Sequence, residues 1–172
     1  MTRIIMVVGV FFALTANSVD AQSREGFWIG FGLGGGSYTD DDLSGRETGA
    51  VGYLKLGATI SERFLVGVES NVWVKEVAGV DLSHSNVSAV AYFYPSATGS
   101  FFLKAGLGFA TLLLDAGGGS ISENGGGGVF GLGYDRLVGG NWSITPFLNS
   151  NVGLFDSGNT SIIEWGVGVT WH

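Results

Sequence analysis

Apolar residues recur at every second position through most of the chain, and this period constrains the fold more than any other feature. The first such segment alternates Phe27, Ile29, Phe31 and Leu33 with Trp28 and glycines. Successive side chains of a strand point to opposite faces, so a period of two indicates β-structure, and no window shows a 3.6-residue apolar stripe. Comparable segments begin near residues 49, 64, 85, 101, 128, 141 and 161. The pattern predicts eight strands.

The links between these segments alternate in length. Short links are expected at 61–63, 95–99 and 138–141, and longer polar loops at 38–48, 76–83, 115–127 and 156–160. Short turns at one end and longer loops at the other are typical of an up-and-down antiparallel β-barrel with both termini at the short-turn end. Glycines at 117–119 and 125–128 predict a mobile third loop.

The first 21 residues differ from the rest of the chain. Arg3 precedes an apolar run over 4–14 and a polar stretch that ends at Ala21. Eleven apolar residues are too few for a membrane-spanning helix, which needs about 20. We interpret residues 1–21 as a cleaved secretory signal and residues 22–172 as one barrel domain. The sequence contains no cysteine, so no disulfide framework supports that domain.

The distribution of charge between the two strand faces distinguishes a soluble barrel from a membrane barrel. Soluble barrels are apolar inside, whereas a membrane barrel is apolar outside and excludes charge from its lipid-facing wall. When the more apolar face of each strand is assigned outward, Arg136 is the one charged residue on that face, and it lies at a strand end. The strand at 85–94 is ambiguous, and we favour Val87, Ala89, Ala91 and Phe93 as its outer face. The sequence therefore predicts an all-β, eight-stranded transmembrane barrel.

Aromatic residues support this orientation. Six lie on the predicted outer face near the short-turn end, as expected for the aromatic girdle of a membrane interface: Phe27, Phe64, Phe93, Phe101, Trp142 and Trp171. Many of the 31 glycines instead fall on the inward face, where a narrow barrel has little space.

Several short segments carry a resemblance to a known family. They are Gly108-Phe109, the run from Gly131 to Asp135, Thr145-Pro146 and the ending from Gly166 to His172. Together with the alternating strands they resemble the small outer-membrane β-barrels of Gram-negative bacteria, such as the OmpA transmembrane domain and OmpX. The resemblance implies an outer-membrane location and contact with membrane lipid and lipopolysaccharide. It also implies recognition of the C-terminal strand by the outer-membrane assembly machinery, although His172 follows Trp171 where the family usually ends on Phe or Trp.

Five charged residues fall on the inward face and form the predicted lumen network: Lys55, Glu69, Lys104, Asp135 and Glu164. A three-residue turn at 61–63 would pair Ile60 with Phe64 and place Lys55 directly opposite Glu69. The interior of an eight-stranded barrel is just wide enough for side chains, so we expect a salt-bridged plug. A gated pore for small solutes or ions is the alternative.

The sequence gives little support for a catalytic site or a metal site. His84 and Ser85 point to opposite faces as neighbours on a strand, so we expect neither catalysis nor lipid A modification. We interpret His84 as a polar residue at the loop end of a strand and His172 as solvent-exposed. The run Asp40-Asp41-Asp42 lacks the spacing of a calcium loop; bridging by divalent cations to lipopolysaccharide phosphates is the alternative to a solvated acidic loop. We expect no cofactor and no metal site. The net charge of −7 argues against a nucleic-acid partner, and we expect a monomer with a structural or surface-exposed role. A secreted soluble barrel is the remaining alternative.

Overall fold

The computed structural model describes residues 24–41, 45–77, 79–116 and 119–172. The predicted signal segment, residues 1–21, lies outside these ranges. The strands are β1 (Phe27–Asp40), β2 (Glu47–Ser61), β3 (Phe64–Val77), β4 (Val80–Phe93), β5 (Phe101–Asp115), β6 (Ser120–Tyr134), β7 (Arg136–Gly139), β8 (Trp142–Phe155) and β9 (Gly158–Trp171).

The strands form a closed antiparallel barrel in chain order. Each strand from β1 to β6 pairs with the next, β9 returns to β1, and β6 pairs with β8. The four-residue β7 follows β6 after Asp135 and pairs with the first residues of β8. The wall therefore has eight strands, as predicted, with β7 extending the path of β6.

The described residues contain no helix long and apolar enough to cross a membrane.

At the end of the barrel opposite the termini, the four links lie within the predicted loop ranges but are shorter than predicted, because the strands extend into those ranges. The links at that end, which we call the distal end, are residues 41–46, 78–79, 116–119 and 156–157. The expected mobile third loop is mostly strand, because Gly125 to Gly128 pair with β5, and Gly126 to Gly128 also with β8. Main-chain pairing outweighs the low strand propensity of glycine at these positions. Strands of 14–15 residues exceed the roughly 9–11 needed to span a bilayer.

The opposite, terminal end holds the links 62–63, 94–100 and 140–141. The predicted pairing of Ile60 with Phe64 is wrong, because a bulge shifts the register between Thr59 and Ser61, and Ser61 pairs with Phe64. The bulge absorbs the extra residue, so Lys55 still lies opposite Glu69. Gly139 and Gly140 have positive φ angles of 155° and 55°, and the second lies in the left-handed region that glycine favours.

The two faces of the wall are inverted relative to a soluble barrel. Leu107 and Phe109 are 80% and 78% exposed on the outside, whereas Trp28 and Trp73 are 1% and 0% exposed on the inside. The expected facing of β4 is confirmed: its outer residues are exposed, and Val90, Tyr92 and Tyr94 are buried. Arg136 is half-buried and pairs with the outward Ile144.

The inward glycines leave room for large side chains, as predicted. Gly57 and Gly67 are cross-strand partners, and a Cβ on either would meet the Trp28 ring and the backbone of the neighbouring strand. A Cβ on Gly168 would meet the Tyr53 hydroxyl. Glycine is required here by close approach inside a narrow barrel.

Candidate functional site in the barrel interior

All five predicted lumen residues point inward and are at most 5% exposed: Lys55, Glu69, Lys104, Asp135 and Glu164. They do not form one network. The structure divides them into a central ion pair, a lysine beneath aromatic rings, an aspartate near the terminal end and a glutamate beside asparagines. Each group has its own partners.

The central ion pair joins Lys104 on β5 to Glu69 on β3. The Lys104 ammonium donates to Glu69 Oε1, and the Tyr92 hydroxyl donates to Glu69 Oε2. Asn71 Nδ2 also donates to Oε1, at 3.0 Å. Three donors around one buried carboxylate offset much of the cost of removing its charge from water.

Lys55 does not form the ion pair that its register suggested. Its Cα lies opposite that of Glu69, but its ammonium makes no ion pair within the described ranges and lies 5.1–5.8 Å from four ring centroids, those of Trp28, Tyr53, Tyr92 and Phe102. Aromatic faces attract a cation at such distances. The void beside Lys55 has no volume large enough for a water molecule.

Asp135 lies where β6 gives way to β7. Its carboxylate accepts hydrogen bonds from the Tyr94 and Thr145 hydroxyls, each at 2.5 Å. His172 Nε2 is 3.7 Å from Asp135 Oδ2, an ion-pair distance when the ring is protonated. His172 is 5% exposed, so the expectation of an exposed C-terminal histidine is wrong. The pairing of Trp171 with the outward Ile29 and Trp142 directs the next side chain inward.

Glu164 on β9 lies opposite Asn149 on β8. Asn149 Nδ2 donates to Glu164 Oε2 at 3.3 Å. Asn151, two residues further along β8, is also buried, and neither of its amide atoms has a hydrogen-bond partner.

Arg24 is an interior residue that the sequence analysis did not consider. It precedes β1 and is 1% exposed. Its guanidinium lies over the Tyr94 ring, 3.6 Å from the centroid, and donates to the carbonyls of Glu62, Ala97 and Gly99. A single side chain thus joins the β2–β3 and β4–β5 links across the terminal mouth. The one signal for this role in the sequence was the position of the arginine just after the predicted cleavage site.

The distal half of the interior is aromatic. The Tyr38 and Trp73 rings stack with centroids 5.0 Å apart, and Trp73 Nε1 donates to the Gly36 carbonyl at 3.0 Å. His84 is buried rather than exposed, with Nε2 3.1 Å from the Thr160 hydroxyl and its ring against Phe155. The strand begins at Val80, earlier than predicted, so His84 lies inside the barrel and not at the start of the strand.

The six girdle aromatics lie at strand ends on the terminal side, and all are at least 36% exposed. Phe64 pairs with Phe93, with ring centroids 5.0 Å apart, and Trp142 pairs with Trp171. Each pairing brings its two rings to the same level on the outside of the wall.

The acidic run at the first distal link is partly tied down. The Tyr38 hydroxyl donates to Asp40 at 3.0 Å, and the backbone N–H of Asn159 donates to the Asp41 carboxylate at 2.8 Å. Asp42 lies outside the described residues. Across the described residues, no group of three or more His, Cys, Asp or Glu could hold a metal ion.

A closed eight-stranded wall with an apolar exterior, an aromatic girdle and buried interior charges defines the small outer-membrane β-barrel fold. No protein-family model and no curated protein matches the sequence. Solved structures do match it. Neisserial surface protein A superposes with a TM-score of 0.70 at 18% identity, over 87% of this chain and 98% of that one.

Two further matches have the same architecture. Ail, the attachment invasion locus protein of Yersinia pestis, gives a TM-score of 0.61 at 14% identity, over 87% of this chain and 100% of that chain. The N-terminal barrel domain of Pseudomonas aeruginosa OprF gives 0.54 at 12% identity, over 87% and 98%. At these identities the superpositions show that the chain shares the fold of these small β-barrels.

Proposed function

We propose that this chain is an integral outer-membrane barrel with a structural or surface-exposed role, a closed lumen and no catalytic activity. The proposal is supported by two clusters of large buried side chains, one towards each end of the interior, and by the buried ion pair between them. A barrel whose interior is packed separates the two sides of the membrane instead of connecting them.

Three layers of side chains fill the interior. The layer towards the terminal end is an apolar and aromatic cluster of Trp28, Leu65, Val90, Tyr92, Tyr94, Phe102 and Val129. The middle layer holds the Lys104–Glu69 ion pair and Glu164. The distal layer is formed by Tyr38, Val51, Trp73 and Ile162. A solute would have to displace two aromatic layers and a buried ion pair to cross the membrane.

Arg24 closes the terminal mouth beneath these layers. Its contacts with Tyr94 and with two links depend on the position of the chain just before β1. In this proposal the terminal end faces the periplasm, and the distal end faces outward.

The outside of the barrel determines its partners. The exposed apolar wall and the girdle fit membrane lipid, and the distal end lies at the level of lipopolysaccharide. Trp171, at 36% exposure, offers an aromatic side chain to the assembly machinery although His172 is the last residue. We propose a monomer that binds no nucleic acid.

Single-channel recording tests the closed lumen. The purified barrel in planar bilayers is expected to give no stable openings, and a variant with Trp28→Ala, Tyr92→Ala and Phe102→Ala should conduct because it loses most of one layer. A folded Phe109→Ala variant, altered only on the outer wall, is the matched control. Stable, large openings of the wild type that Lys55→Ala does not alter would overturn the proposal in favour of a solute channel.

Mass spectrometry of lipid A tests the proposed absence of catalysis. His84 contacts Thr160, Tyr38 and Phe155 inside the wall, an arrangement with no acidic partner for a nucleophile–base pair. Lipid A from cells with and without the protein should have identical mass spectra. An added or missing acyl chain that depends on His84 would identify an enzyme.

A further inference from the structure

The middle layer of the barrel contains hydrogen-bond acceptors without partners. Asn149, Asn151 and Glu164 face inward on β8 and β9 and are 2%, 1% and 1% exposed. We call these three residues the acceptor pocket. Buried polar atoms in proteins nearly always find a partner in the chain, a water molecule or an ion, so an unfilled set in one place indicates a ligand.

The amide of Asn149 has a defined orientation. Its Nδ2 donates to Glu164, which leaves Oδ1 as an acceptor with no partner. Asn151 faces Glu164 at the limit of hydrogen-bonding contact, and neither of its amide atoms makes a hydrogen bond within 3.5 Å. The pocket therefore offers two amide oxygens and a carboxylate that accepts one hydrogen bond within 3.5 Å.

The charged groups near the acceptor pocket are engaged with other partners. Lys104 and Glu69 are the charged groups that interact with Glu164 from the other strands, and the Lys104 ammonium is bonded to Glu69. Lys55 lies among aromatic rings and makes no ion pair within the described residues. Among the described residues Glu164 consequently has no cationic partner in contact, and a carboxyl buried in this way takes up either a cation or a proton.

We propose that the acceptor pocket binds one small monovalent cation, held by oxygens of Glu164, Asn149 and Asn151. Carboxylate and amide oxygens are the ligands that hard cations prefer. One carboxylate balances one positive charge, which favours a monovalent ion such as Na⁺ over a divalent one. Water would supply hydrogen bonds but no positive charge, so a pocket that held only water would leave Glu164 protonated.

The aromatic layers on either side isolate the pocket from both ends of the barrel. The cation therefore enters while the barrel folds, and it exchanges slowly afterwards. This inference does not require the barrel to be non-conducting, so it stands or falls separately from the proposed function.

The test compares unfolding temperatures of protein refolded in detergent micelles with NaCl or with choline chloride at equal concentration. Choline is too large for a pocket among packed side chains. Na⁺ is expected to raise the unfolding temperature of the wild type by about 2–4 °C, through preferential binding to the folded state. Glu164→Gln should abolish this difference, and Glu76→Gln, an exposed carboxylate at the distal end, should preserve it.

Variants of Asn151 keep the test decisive if Glu164→Gln does not fold. Asn151→Asp adds a second carboxylate and should increase the dependence on Na⁺, whereas Asn151→Leu should remove it. Equal unfolding temperatures of the wild type in the two salts would overturn the proposal, because the pocket would then hold only water or a proton. A salt difference that persists in both Glu164→Gln and Asn151→Leu would also overturn it.

Discussion

At the scale of single residues, the buried pair of Lys104 and Glu69 should dominate the energetics of the interior. Both side chains are at most 4% exposed, and removal of one partner from a buried pair typically costs 3–5 kcal/mol. We expect Lys104→Met to lower the free energy of unfolding by about 3 kcal/mol. The double variant Lys104→Met with Glu69→Gln should be more stable than the single one, because no unpaired charge then remains.

Urea unfolding in micelles, followed by tryptophan fluorescence, measures both values. A loss below about 1 kcal/mol, the range of solvent-exposed pairs, would show that water reaches the pair and would contradict a packed interior.

Residue-level contacts were only partly predictable from the sequence. The predicted turn pairing was wrong, but Lys55 still lies opposite Glu69 because the bulge before Ser61 restores the register that the turn had implied. The side chain then reaches diagonally to partners on other strands, so Glu69 pairs with Lys104 and Lys55 lies among rings. Arg24 and His172 were missed because their contacts depend on how the chain ends fold across the terminal mouth. The two-residue alternation of the strands carries no information about that folding.

At the scale of elements, β6 provides a matched pair of glycines. Gly128 faces outward, and a Cβ there meets nothing closer than 3.6 Å. Gly131 faces inward, where a Cβ would meet Asn149, the Leu148 carbonyl and Lys104. Gly131→Val should destabilise the barrel by about 1–3 kcal/mol through overpacking or prevent it from closing, whereas Gly128→Val should be neutral or slightly stabilising.

The fraction of heat-resistant, fast-migrating protein on a gel compares the two variants under identical refolding. Equal folding of Gly131→Val and Gly128→Val would contradict the tightly packed interior of β6.

The same element shows where sequence reasoning fails. Glycine runs and polar residues predicted a loop over 115–127, yet β6 begins at Ser120. Its glycines pair with strands on one or both sides, and closure of the barrel supplies those hydrogen bonds irrespective of local propensity. Strand existence and facing were predictable because they depend on alternation, whereas strand length depends on partners that lie far away in the sequence.

At the scale of the whole molecule, the net charge is confined to one end. Nine acids and two bases belong to the distal links and adjacent strand ends, namely Asp40, Asp41, Asp42, Glu47, Glu76, Asp81, Asp115, Glu123 and Asp156 against Arg46 and Lys75. The rest of the chain after residue 21 has five acids and five bases. The distal end therefore accounts for the whole charge of −7.

An acidic end should repel the phosphates of lipopolysaccharide unless divalent cations lie between them. We expect the micellar protein to bind lipopolysaccharide in the presence of Mg²⁺ and to release it after chelation, with weaker binding in the variant Asp40→Asn with Asp41→Asn. Light scattering or co-sedimentation measures this. Binding that is unaffected by chelation would show that lipid contact alone retains lipopolysaccharide.

The central claim is that the apolar face of the wall contacts lipid and that the charged face is enclosed. The chain has no cysteine, so single cysteines at outward Val66, Val68 and Val72 can carry a fluorophore without background labelling. In bilayers, nitroxide-labelled lipids should quench all three, and a water-soluble quencher should reach none. Quenching of these positions by the soluble reagent but not by lipid would contradict a membrane-spanning wall.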